Sequence, residues 1–431
     1  MPIPPSLEIT PEFQHALHLL ENTSLSVFLT GKAGTGKSTL LTHFRAHTRK
    51  KIVVLAPTGV AALNVDGSTL HSFFRLPSRP IHPSEVKPVS GKRRALYQSI
   101  DTLVIDEISM VRADLLDVID QFMRLNGRDS LQPFGGVQMV FIGDLFQLPP
   151  VVAAQEEELF NTVYNSPFFF SANVMDILDI TLIALEKIYR QQEQNFTQLL
   201  NAIRHNQITS TELMLLNTRH QPLFEVPDDA YYITLCTTNK LAMDINLVQL
   251  EKLTTPAYVF LGKLTGEFEA HNTPADIELT LKVGAQVMFV KNDVDQRWVN
   301  GTLGRVKQVN AHLVQVETTD GEIYQVEPVK WEILKYEYDA STARLTTAVI
   351  GSFTQYPLRL AWAMTIHKSQ GKTFDNAVIE LGRGAFAHGQ LYVALSRCRT
   401  LDGLVLRKPV RASDVIVDKR VIHFFQQLKP L

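Results

Sequence analysis

The chain has 431 residues, of which 45% are hydrophobic and 20% are charged. This composition is typical of globular proteins and excludes a disordered chain, a collagen-like chain and a small disulfide scaffold. At roughly 150 residues per domain, the length predicts two to four domains, each large enough to bury its own core. The net charge of −2 provides no overall attraction for a polyanion, so contact with nucleic acid must come from a local arrangement.

The cysteine content and the N-terminal sequence indicate where the protein works. Cys236 and Cys398 are the only cysteines, and their separation favours a reducing compartment and excludes a cysteine-based metal site. The N-terminal MPIPPSLEITPEF lacks the basic and apolar regions of a leader, and no apolar run approaches the ~18 residues of a membrane span. We therefore expect a soluble cytoplasmic protein with no membrane contact.

Apolar runs that alternate with helical patterns predict parallel α/β layers. The first run, VFLT at 27–30, meets a glycine-rich loop, after which STLLTHFRAHT has apolar residues at helical spacing. The same alternation recurs at KIVVLAPT, TLVIDE and VQMVFIGD, whose continuous apolar character is typical of strands buried on both faces. A second α/β stretch is predicted to begin near Leu182, pass through a strand at 231–238 and resume at Leu358.

Two segments interrupt this pattern. Residues 75–98 are rich in proline and basic side chains and are too short for a domain, which indicates a small projecting element. From residue 279 to 349 the pattern is one of short strands, with turn pairs at Asn300-Gly301 and Asp320-Gly321. Such pairs favour tight hairpins in which both central residues have positive φ, so we expect a small β-barrel or β-sheet insertion.

A phosphate-binding loop is the most specific motif. GKAGTGKS at 31–38 matches G-x-x-x-x-G-K-[ST] between a predicted strand and a predicted helix, where backbone N–H groups surround phosphate oxygens. A chance match is on the order of one in a hundred, which makes a merely structural glycine-rich turn the weaker interpretation. Lys37 would reach the terminal phosphates of ATP, and Ser38 would supply a hydroxyl to Mg²⁺. The predicted ATP-binding residues of this loop are Gly31, Ala33, Gly34, Thr35, Gly36, Lys37, Ser38 and Thr39.

Two further strand ends carry polar side chains. LVIDEISM places Asp106 and Glu107 after an apolar strand, where ligands collect in open α/β sheets. An isolated acidic pair there is usually a solvated strand end, but beside a phosphate loop Asp106 is expected to hold Mg²⁺ and Glu107 to deprotonate the attacking water. In GDLFQLPPV, Asp144 and Gln147 follow another apolar strand; by itself such a turn is as often merely structural, but here it would be a third polar cluster at one sheet edge. Gln147 is predicted to be catalytic because its amide can donate to a phosphate oxygen or bridge to nucleic acid, which would couple the two sites.

The ordered set of motifs resembles the superfamily-one DNA helicases, specifically the petite-integration-frequency (Pif-one) family and its RecD-like relatives. The motifs are Gln14, GKAGTGKST, APTGVAA, TLHSFF, DEISM, GDLFQLPPV, IYRQ, AWAMTIHKSQG and YVALSRCR, and they span nearly the whole chain. The resemblance implies two RecA-like P-loop domains that clasp ATP, with single-stranded DNA across their tops and movement from 5′ to 3′. It divides the chain into a first domain at 1–184 with a wedge at 75–98, a second domain at 185–278 and 350–431, and an SH3-like β-barrel insertion at 279–349.

The resemblance also assigns nucleotide contacts outside the phosphate loop. Gln14 would read the adenine edge and Tyr189 would pack near the base, while Gly371 joins the ATP-binding set. Arg190 and Arg397 match the two arginine fingers that meet the γ-phosphate, a task that suits the permanent charge and planar donors of arginine. Taken alone, Gln14 would more often face solvent, and each arginine would more often form a surface ion pair.

DNA contacts are expected to be independent of base sequence, through the backbone and through base stacking. The candidates in the first domain are Pro57, Thr58, Gly59, Asn64, Thr69, His71 and Phe73. Those in the second domain are Thr237, Thr238, Asn239, Thr365, His367, Lys368 and Ser369. Phe73 is more often a core residue than a stacking platform. His367 could be a satisfied buried histidine, but its small, polar and cationic neighbours favour phosphate contact. The barrel insertion either guides DNA or is structural, and GKRR at 91–94 either touches duplex phosphates or is solvated.

The sequence therefore predicts an ATP-dependent 5′-to-3′ DNA helicase that uses ATP and Mg²⁺ and is a minimal bacterial member of the family. Its expected partners are single-stranded DNA and 5′-tailed duplex or fork DNA, with G-quadruplex DNA a further candidate by similarity. We expect a monomer in the absence of DNA, associated with the nucleoid in a bacterium. One alternative is a DNA-stimulated translocase or a RecD-like subunit that unwinds only with partners. Another is a non-hydrolysing, nucleotide-switched DNA-binding protein, which Glu107, Arg190 and Arg397 argue against.

Overall fold

The computed structural model describes residues 9–77, 79–189, 193–227, 229–270, 273–339 and 341–428. The helices are α1 Pro11–Asn22, α2 Lys37–His47, α3 Gly59–Asn64, α4 Leu70–Phe74, α5 Gly91–Ser99, α6 Ala113–Asn126, α7 Ala154–Val163, α8 Gln194–Arg204, α9 Ser210–Asn217, α10 Asn239–Lys252, α11 Gln390–Leu395 and α12 Lys419–Gln427. The strands are β1 Ser26–Gly31, β2 Ile52–Ala56, β3 Ser68–Thr69, β4 Thr102–Ile105, β5 Gln138–Gly143, β6 Ile180–Leu185, β7 Ile233–Cys236, β8 Tyr258–Leu261, β9 Lys263–Gly266, β10 Glu278–Leu281, β11 Gln286–Phe289, β12 Leu303–Asn310, β13 Leu313–Thr318, β14 Ile323–Val326, β15 Val329–Asp339, β16 Arg344–Gln355, β17 Leu358–Leu360, β18 Ala363–Thr365, β19 Ala377–Glu380 and β20 Leu404–Leu406.

The chain forms two compact units. Unit 1 comprises Met1–Tyr189, Glu332–Ile350 and Asp418–Leu431, and unit 2 comprises Arg190–Trp331 and Gly351–Val417. Each unit contains a parallel sheet, so the predicted α/β class is confirmed. Among the helices of the described ranges, none is both long and apolar enough to cross a bilayer.

The sheet of unit 1 has six parallel strands in the order β3-β2-β4-β5-β1-β6. Every residue of β1, β4 and β5 is buried, as their continuous apolar sequences predict. Val27 pairs with Val140 and Val104 pairs with the same residue from the other side, so β5 lies between β1 and β4. Because parallel strands end at the same edge of a sheet, the loops after β1, β4 and β5 emerge side by side.

Local sequence signals explain where several helices begin. Thr10 caps α1 by accepting a hydrogen bond from the N–H of Phe13 at 3.3 Å, and Pro11 occupies the first helical position, where its missing N–H has no consequence. At α9, Thr209 and Glu212 form a reciprocal capping box. These short-range contacts are why helix starts are easier to predict from sequence than the packing of the helices.

The structure differs from the sequence-based boundary at 184–185. The apolar run near Leu182, expected to open the second α/β part, is β6, which pairs in parallel with β1 from Ser26 opposite Ile180 to Gly31 opposite Leu185. Unit 1 therefore extends to Tyr189. An apolar run shows that a strand is buried, but it does not show which sheet the strand joins.

The segment predicted to project at 75–98 is only partly separate from the core. Its last residues enter α5, where Tyr97 is 1% exposed and stacks on Phe74 at 6.1 Å between ring centroids. Tyr97 also meets Phe122 edge to face at 4.8 Å. The projecting part is therefore shorter than predicted, because the apolar face of α5 has a partner in the core of unit 1.

Two segments assigned by sequence to later domains belong to unit 1. Residues 332–350, of which 332–349 are expected in the barrel insertion, include Tyr336, whose hydroxyl accepts a hydrogen bond at 3.2 Å from the N–H of Val54 in β2. The Ser68 hydroxyl of β3 donates to the Leu334 carbonyl at 2.6 Å. Residues 418–431, expected in the second domain, include α12, whose Phe424 packs on Phe28 of β1. In both cases a segment far along the chain packs against unit 1, and no local sequence pattern predicts such a contact.

Unit 2 contains a four-stranded parallel sheet in the order β18-β7-β19-β20 and an antiparallel sheet in the order β14-β13-β12-β11-β17. The antiparallel sheet includes β17, so it extends beyond the predicted end of the insertion at residue 349. Its core includes Val287, Val306, Val316 and Leu358, each fully buried. The predicted β-rich character is present, whereas the SH3-like assignment stays a prediction.

The turn pairs behave differently from the prediction. Asp320-Gly321 does close the tight hairpin between β13 and β14, but only Gly321 has a positive φ, of 85°. Asn300-Gly301 is wrong as a tight hairpin, because β11 and β12 are joined by residues 290–302. Gly301 still has a positive φ of 103°, so the pair marks the local conformation and not the length of the loop.

Candidate nucleotide and DNA sites

The phosphate loop between β1 and α2 has the backbone that its glycines allow. Gly34 and Gly36 have φ values of 80° and 87°, a region that side chains with Cβ rarely adopt. At Gly31, a Cβ would lie 2.4 Å from Oγ1 of Thr35 and 2.7 Å from the carbonyl O of Leu185. The loop can therefore fold tightly ahead of α2, with its backbone N–H groups available to an anion.

The polar side chains of the loop have distinct environments. Lys37 is half-buried, and its Nζ donates to the carbonyl oxygens of Gly31 at 2.6 Å and Lys32 at 3.0 Å. Thr35 is buried and donates to the Lys32 carbonyl at 3.0 Å. Ser38 is exposed in the first turn of α2, followed by half-buried Thr39. The ammonium group and one exposed hydroxyl are thus next to the backbone that would hold a phosphate.

Asp106 and Glu107 follow β4, as predicted. Asp106 is 9% exposed, and burial together with the neighbouring Glu107 charge raises its pKa to about 7, although a backbone hydrogen bond from Glu107 and the charge of Lys37 act in the opposite direction. Glu107 has a φ of 51°, which is uncommon for a residue with a side chain and is typical of functional sites. The carboxylate of Asp106 is therefore costly to ionise without a cation, which suits a metal ligand.

The segment after β5 orients Gln147 through Asp144. Asp144 is 1% exposed and Gln147 is 7% exposed. The Asp144 carboxylate accepts from the N–H of Phe146 at 3.2 Å and from Nε2 of Gln147 at 3.3 Å. A Cβ at Gly143 would lie 2.9 Å from Cγ2 of Ile108, so the segments after β4 and β5 are close neighbours. The sequence places Asp144 and Gln147 in one turn after β5, but it assigns a role to Gln147 alone, and the orienting contact from Asp144 is found only in the structure.

Tyr189 lies next to the phosphate loop. Its N–H donates to the Gly34 carbonyl at 2.9 Å, and a Cβ at Gly36 would lie 3.9 Å from the Tyr189 ring. The side chain is 50% exposed, and the Lys187 ammonium lies over its ring, 5.4 Å from the centroid. Gln14 is exposed on α1, and the adjacent Phe13 meets His43 of α2 at 5.9 Å. The predicted finger Arg190 lies outside the described residues.

In unit 2, Arg397 is a buried residue that joins two segments. It is 1% exposed, and its guanidinium donates to the carbonyl oxygens of Val393 at 2.9 Å, Lys372 at 3.3 Å and Ser369 at 3.4 Å. Gly371, in the same segment as Ser369 and Lys372, has a φ of 78°. The arrangement holds the 369–372 segment against α11, so Arg397 is not a surface ion-pair former, and its contact with phosphate stays a prediction.

Among the DNA candidates of unit 1, Thr58 and Thr69 cap helices. Thr58 accepts from the N–H of Ala61 at 3.2 Å, and Thr69 accepts from the N–H of Ser72 at 3.1 Å. Pro57 and Gly59 are half-buried beside Thr58, and Asn64 is exposed at the end of α3. These residues follow β2 and β3, at the same edge of the sheet as the phosphate loop.

The aromatic candidates of unit 1 do not behave alike. His71 is half-buried, and burial lowers its pKa, so its ring is neutral near pH 7. Phe73 is 8% exposed and meets Phe74, Tyr97 and Tyr336 edge to face. The structure therefore favours the core interpretation of Phe73, because its ring is occupied by contacts with other buried rings.

The unit 2 candidates likewise divide into structural and accessible residues. Thr365 and Ser369 are buried: Thr365 accepts from the N–H of Lys368 at 3.3 Å, and Ser369 donates to the Ile366 carbonyl at 2.7 Å. Both hydroxyl groups are used within the turn that carries His367 and Lys368, so a DNA contact of Thr365 or Ser369 stays a prediction. Burial lowers the pKa of His367 and that of Lys368. The charge of Arg359 lowers the pKa of Lys368 as well.

A second turn of unit 2 follows β7. Thr238 caps α10 by accepting from the N–H of Leu241 at 3.3 Å. Asn239 is exposed at the start of that helix, and Thr237 is half-buried before it. Since β7 and β18 are parallel neighbours, this turn and the one at 366–369 lie at the same edge of the unit 2 sheet.

Together, the parallel sheets, the phosphate loop and the polar strand ends define the class of P-loop nucleotide-binding proteins. The model for the PIF1-like helicase family matches residues 12–213, and the model for the 2B domain of DNA helicase Pif1 matches residues 269–309. The ATP-dependent DNA helicase Pif1 of Bdellovibrio bacteriovorus is 32% identical, with 99% of this chain and 93% of that protein covered. The chain belongs to the PIF1-like helicase family.

Solved structures agree with this assignment. Pif1 from Bacteroides sp in complex with ADP-AlF4 is 38% identical and gives a TM-score of 0.91, with 99% of this chain and 100% of that chain covered. Bacteroides Pif1 bound to ssDNA is also 38% identical, with the same coverage and a TM-score of 0.71. The resemblance stated from the motifs is thereby confirmed.

Proposed function

We propose that this protein is an ATP-dependent DNA helicase that moves from 5′ to 3′ along single-stranded DNA and opens 5′-tailed duplexes and forks. Membership of the PIF1-like helicase family supports the helicase activity, while the proposed direction of movement rests on the motif resemblance. The observation that supports it best is that Lys37, Glu107 and Gln147 all follow neighbouring strands at one edge of the unit 1 sheet. A protein that merely bound nucleotide would not need a residue placed to activate water.

We propose the nucleotide contacts as follows. The phosphate loop holds the phosphates, Lys37 neutralises their charge, and Glu107 removes a proton from the attacking water. Tyr189 and Gln14 contact the base, and Gly371 approaches the nucleotide. Arg190 and Arg397 stabilise the spreading phosphate charge by resemblance to the family fingers.

Mg²⁺ fits the donors that the chain provides. Asp106 is a buried carboxylate, and Ser38 is an exposed hydroxyl at the start of α2. Within the described residues, no three His, Cys, Asp or Glu side chains form a metal-binding group. This suits Mg²⁺, which proteins usually hold through one or two side chains together with substrate phosphates. Its chemistry would be to neutralise charge on the phosphate oxygens.

The proposed DNA contacts use backbone groups and a few exposed side chains. Thr58 and His71 in unit 1, with His367 and Lys368 in unit 2, are the residues whose position suits phosphate contact. Such contacts carry no base specificity. G-quadruplex DNA is a further proposed substrate, and we propose a monomer in the absence of DNA. A DNA substrate would place the enzyme at the nucleoid of a bacterium.

The test is strand separation on two partial duplexes that differ only in whether the single-stranded tail is 5′ or 3′. Unwinding of the 5′-tailed substrate alone, dependent on ATP and Mg²⁺, is the expected result. Preference for the 3′ tail would overturn the direction. DNA-stimulated ATP hydrolysis without unwinding of either substrate would favour the translocase or partner-dependent subunit instead.

A further inference from the structure

The last helix of the chain, α12, packs on the segment that carries Gln147. The Phe425 ring of α12 stacks on the Phe146 ring, with centroids 5.4 Å apart and planes 13° from parallel. Phe425 also lies 6.0 Å from the ring of Phe28 in β1, the strand that enters the phosphate loop. A residue near the C-terminus therefore contacts both a strand beneath the nucleotide site and the turn that follows β5.

Adjacent side chains Phe424 and Phe425 of α12 both contact Phe28 but differ in their other partners. Phe424 stacks on Phe170 at 4.5 Å and meets Phe169 at 5.9 Å, both outside the Gln147 turn. Arg420 strengthens that docking by donating to the Asn165 carbonyl at 2.5 Å. Phe424 and Arg420 thus fasten the helix to residues 165–170 and, through Phe424, to Phe28, whereas Phe425 stacks on Phe146 in the turn after β5.

The contact on Phe146 bears directly on the orientation of Gln147. Phe146 is 4% exposed, and its N–H and the Gln147 amide both donate to the Asp144 carboxylate. The backbone N–H of Gln147 also donates to the Asp144 carbonyl at 3.0 Å. A displacement of the Phe146 ring that shifted its backbone N–H would disturb the carboxylate to which the Gln147 amide also donates. Interiors are close-packed, so loss of a stacked ring permits such a displacement.

We propose that Phe425 is a positioning residue for Gln147, and that α12 thereby supports the coupling between DNA binding and ATP hydrolysis. This inference rests on the proposed role of Gln147. Phe425 is not proposed to touch nucleotide or DNA. Its ring holds the 144–147 turn in place by stacking on Phe146. Removal of the ring should lower the rate of ATP hydrolysis in the presence of DNA without changing the affinity of the phosphate loop for ATP.

The experiment compares Phe425→Ala, Phe425→Tyr, Phe424→Ala and Gln147→Ala in the full chain. Steady-state ATPase rates with and without single-stranded DNA separate kcat from KM, and thermal melts report folding. We expect Phe425→Ala to lose roughly tenfold in DNA-stimulated kcat with an unchanged KM for ATP. Phe425→Tyr keeps the ring and should restore stimulation. Phe424→Ala removes an equal ring from the same helix and should lower the melting temperature while retaining stimulation.

The outcomes distinguish this inference from the role of Gln147. The double variant Phe425→Ala/Gln147→Ala should be no slower than Gln147→Ala alone, because both changes act on one group. Normal stimulation in Phe425→Ala, or an equal loss in Phe424→Ala, would overturn the positioning role. Additive losses in the double variant would overturn it as well. Normal stimulation in Gln147→Ala would instead overturn the proposed role of Gln147. If Phe425→Ala does not fold, Phe425→Leu is measured in its place with the same expectations.

Discussion

The ammonium group of Lys37 donates a hydrogen bond to the carbonyl oxygen of Gly31, 2.6 Å away across the phosphate loop. Gly31 can hold this place only because it lacks a side chain, since a Cβ would lie 2.4 Å from Thr35. The tight loop therefore keeps the charge of Lys37 at the start of α2, where the helix N-terminus also favours an anion.

Replacing Lys37 with alanine should abolish ATP turnover, because the phosphate charge loses its fixed counter-charge. We expect a loss of roughly a hundredfold or more in kcat, measured by phosphate release at saturating ATP. Lys32→Ala is the matched control: it removes a cation from the same loop but keeps the backbone carbonyl to which Lys37 donates. Turnover in Lys37→Ala equal to that of the control would contradict the assignment.

Glu107→Gln should retain ATP and DNA binding while losing hydrolysis. The substitution preserves the size of the side chain but removes its ability to take a proton, an effect worth roughly a hundredfold to ten-thousandfold. Single-turnover hydrolysis after rapid mixing is the direct measurement, with fluorescent nucleotide binding as the control for site integrity. Substantial hydrolysis in the single-turnover experiment would refute the proposed base.

His71 should make DNA binding depend on pH with a defined sign. Burial lowers the pKa of His71 below its usual 6.5, so the imidazole is neutral at about pH 7.5 and becomes charged only as the pH falls. A phosphate nearby would favour the charged form. We therefore expect affinity for single-stranded DNA to rise on acidification in the wild-type protein.

Two variants test this expectation by fluorescence anisotropy at several salt concentrations. His71→Gln keeps a hydrogen-bonding side chain and should lose the acid-dependent gain, whereas His71→Ala should also bind more weakly at neutral pH. The slope of log K against log salt should steepen by about 0.7 on acidification in the wild-type protein alone. At neutral pH the slope for His71→Ala should equal that of the wild-type protein. A shallower slope for the variant would show that the wild-type ring is already charged at neutral pH, contrary to our expectation.

Tyr336→Phe should destabilise unit 1. The Tyr336 hydroxyl is the acceptor for the N–H of Val54 in β2, and both residues are buried. Leaving a buried N–H without a partner costs about 1–3 kcal/mol in free energy of unfolding. Urea denaturation provides the measurement, with Tyr338→Phe as the control because that half-buried ring contacts the Lys51 ammonium through its face. Equal stability of the two variants would contradict the structural role of Tyr336.

Local motifs were predictable because neighbouring residues satisfy their own physical requirements. Gly34 and Gly36 occupy positive φ, and Lys37 folds back on carbonyls only five and six residues before it. Asp106 and Glu107 follow a buried strand, as the apolar run predicted. These features depend on chain conformation over a few residues, so the sequence is sufficient to place them.

Some predicted contacts failed because burial depends on partners far along the chain. Phe73 is covered by Tyr336, which lies in a segment assigned to another domain. Thr365 and Ser369 belong to a motif whose residues looked equally polar, yet their side chains are buried and used within the turn, whereas His367 and Lys368 are accessible. Composition shows which residues can bind phosphate but not which are occupied by other contacts.

The sequence by itself determined the class of the fold, the phosphate loop and the polar strand ends, because hydrophobic periodicity and glycine conformation are local properties. Only the tertiary structure decided that β6 joins the first sheet, that Tyr336 completes its hydrogen bonding, and that Phe425 stacks on Phe146. Each of these contacts joins residues far apart in the chain. An apolar side chain gains free energy from any surface that removes it from water, so its partner is selected by the packing of the whole unit.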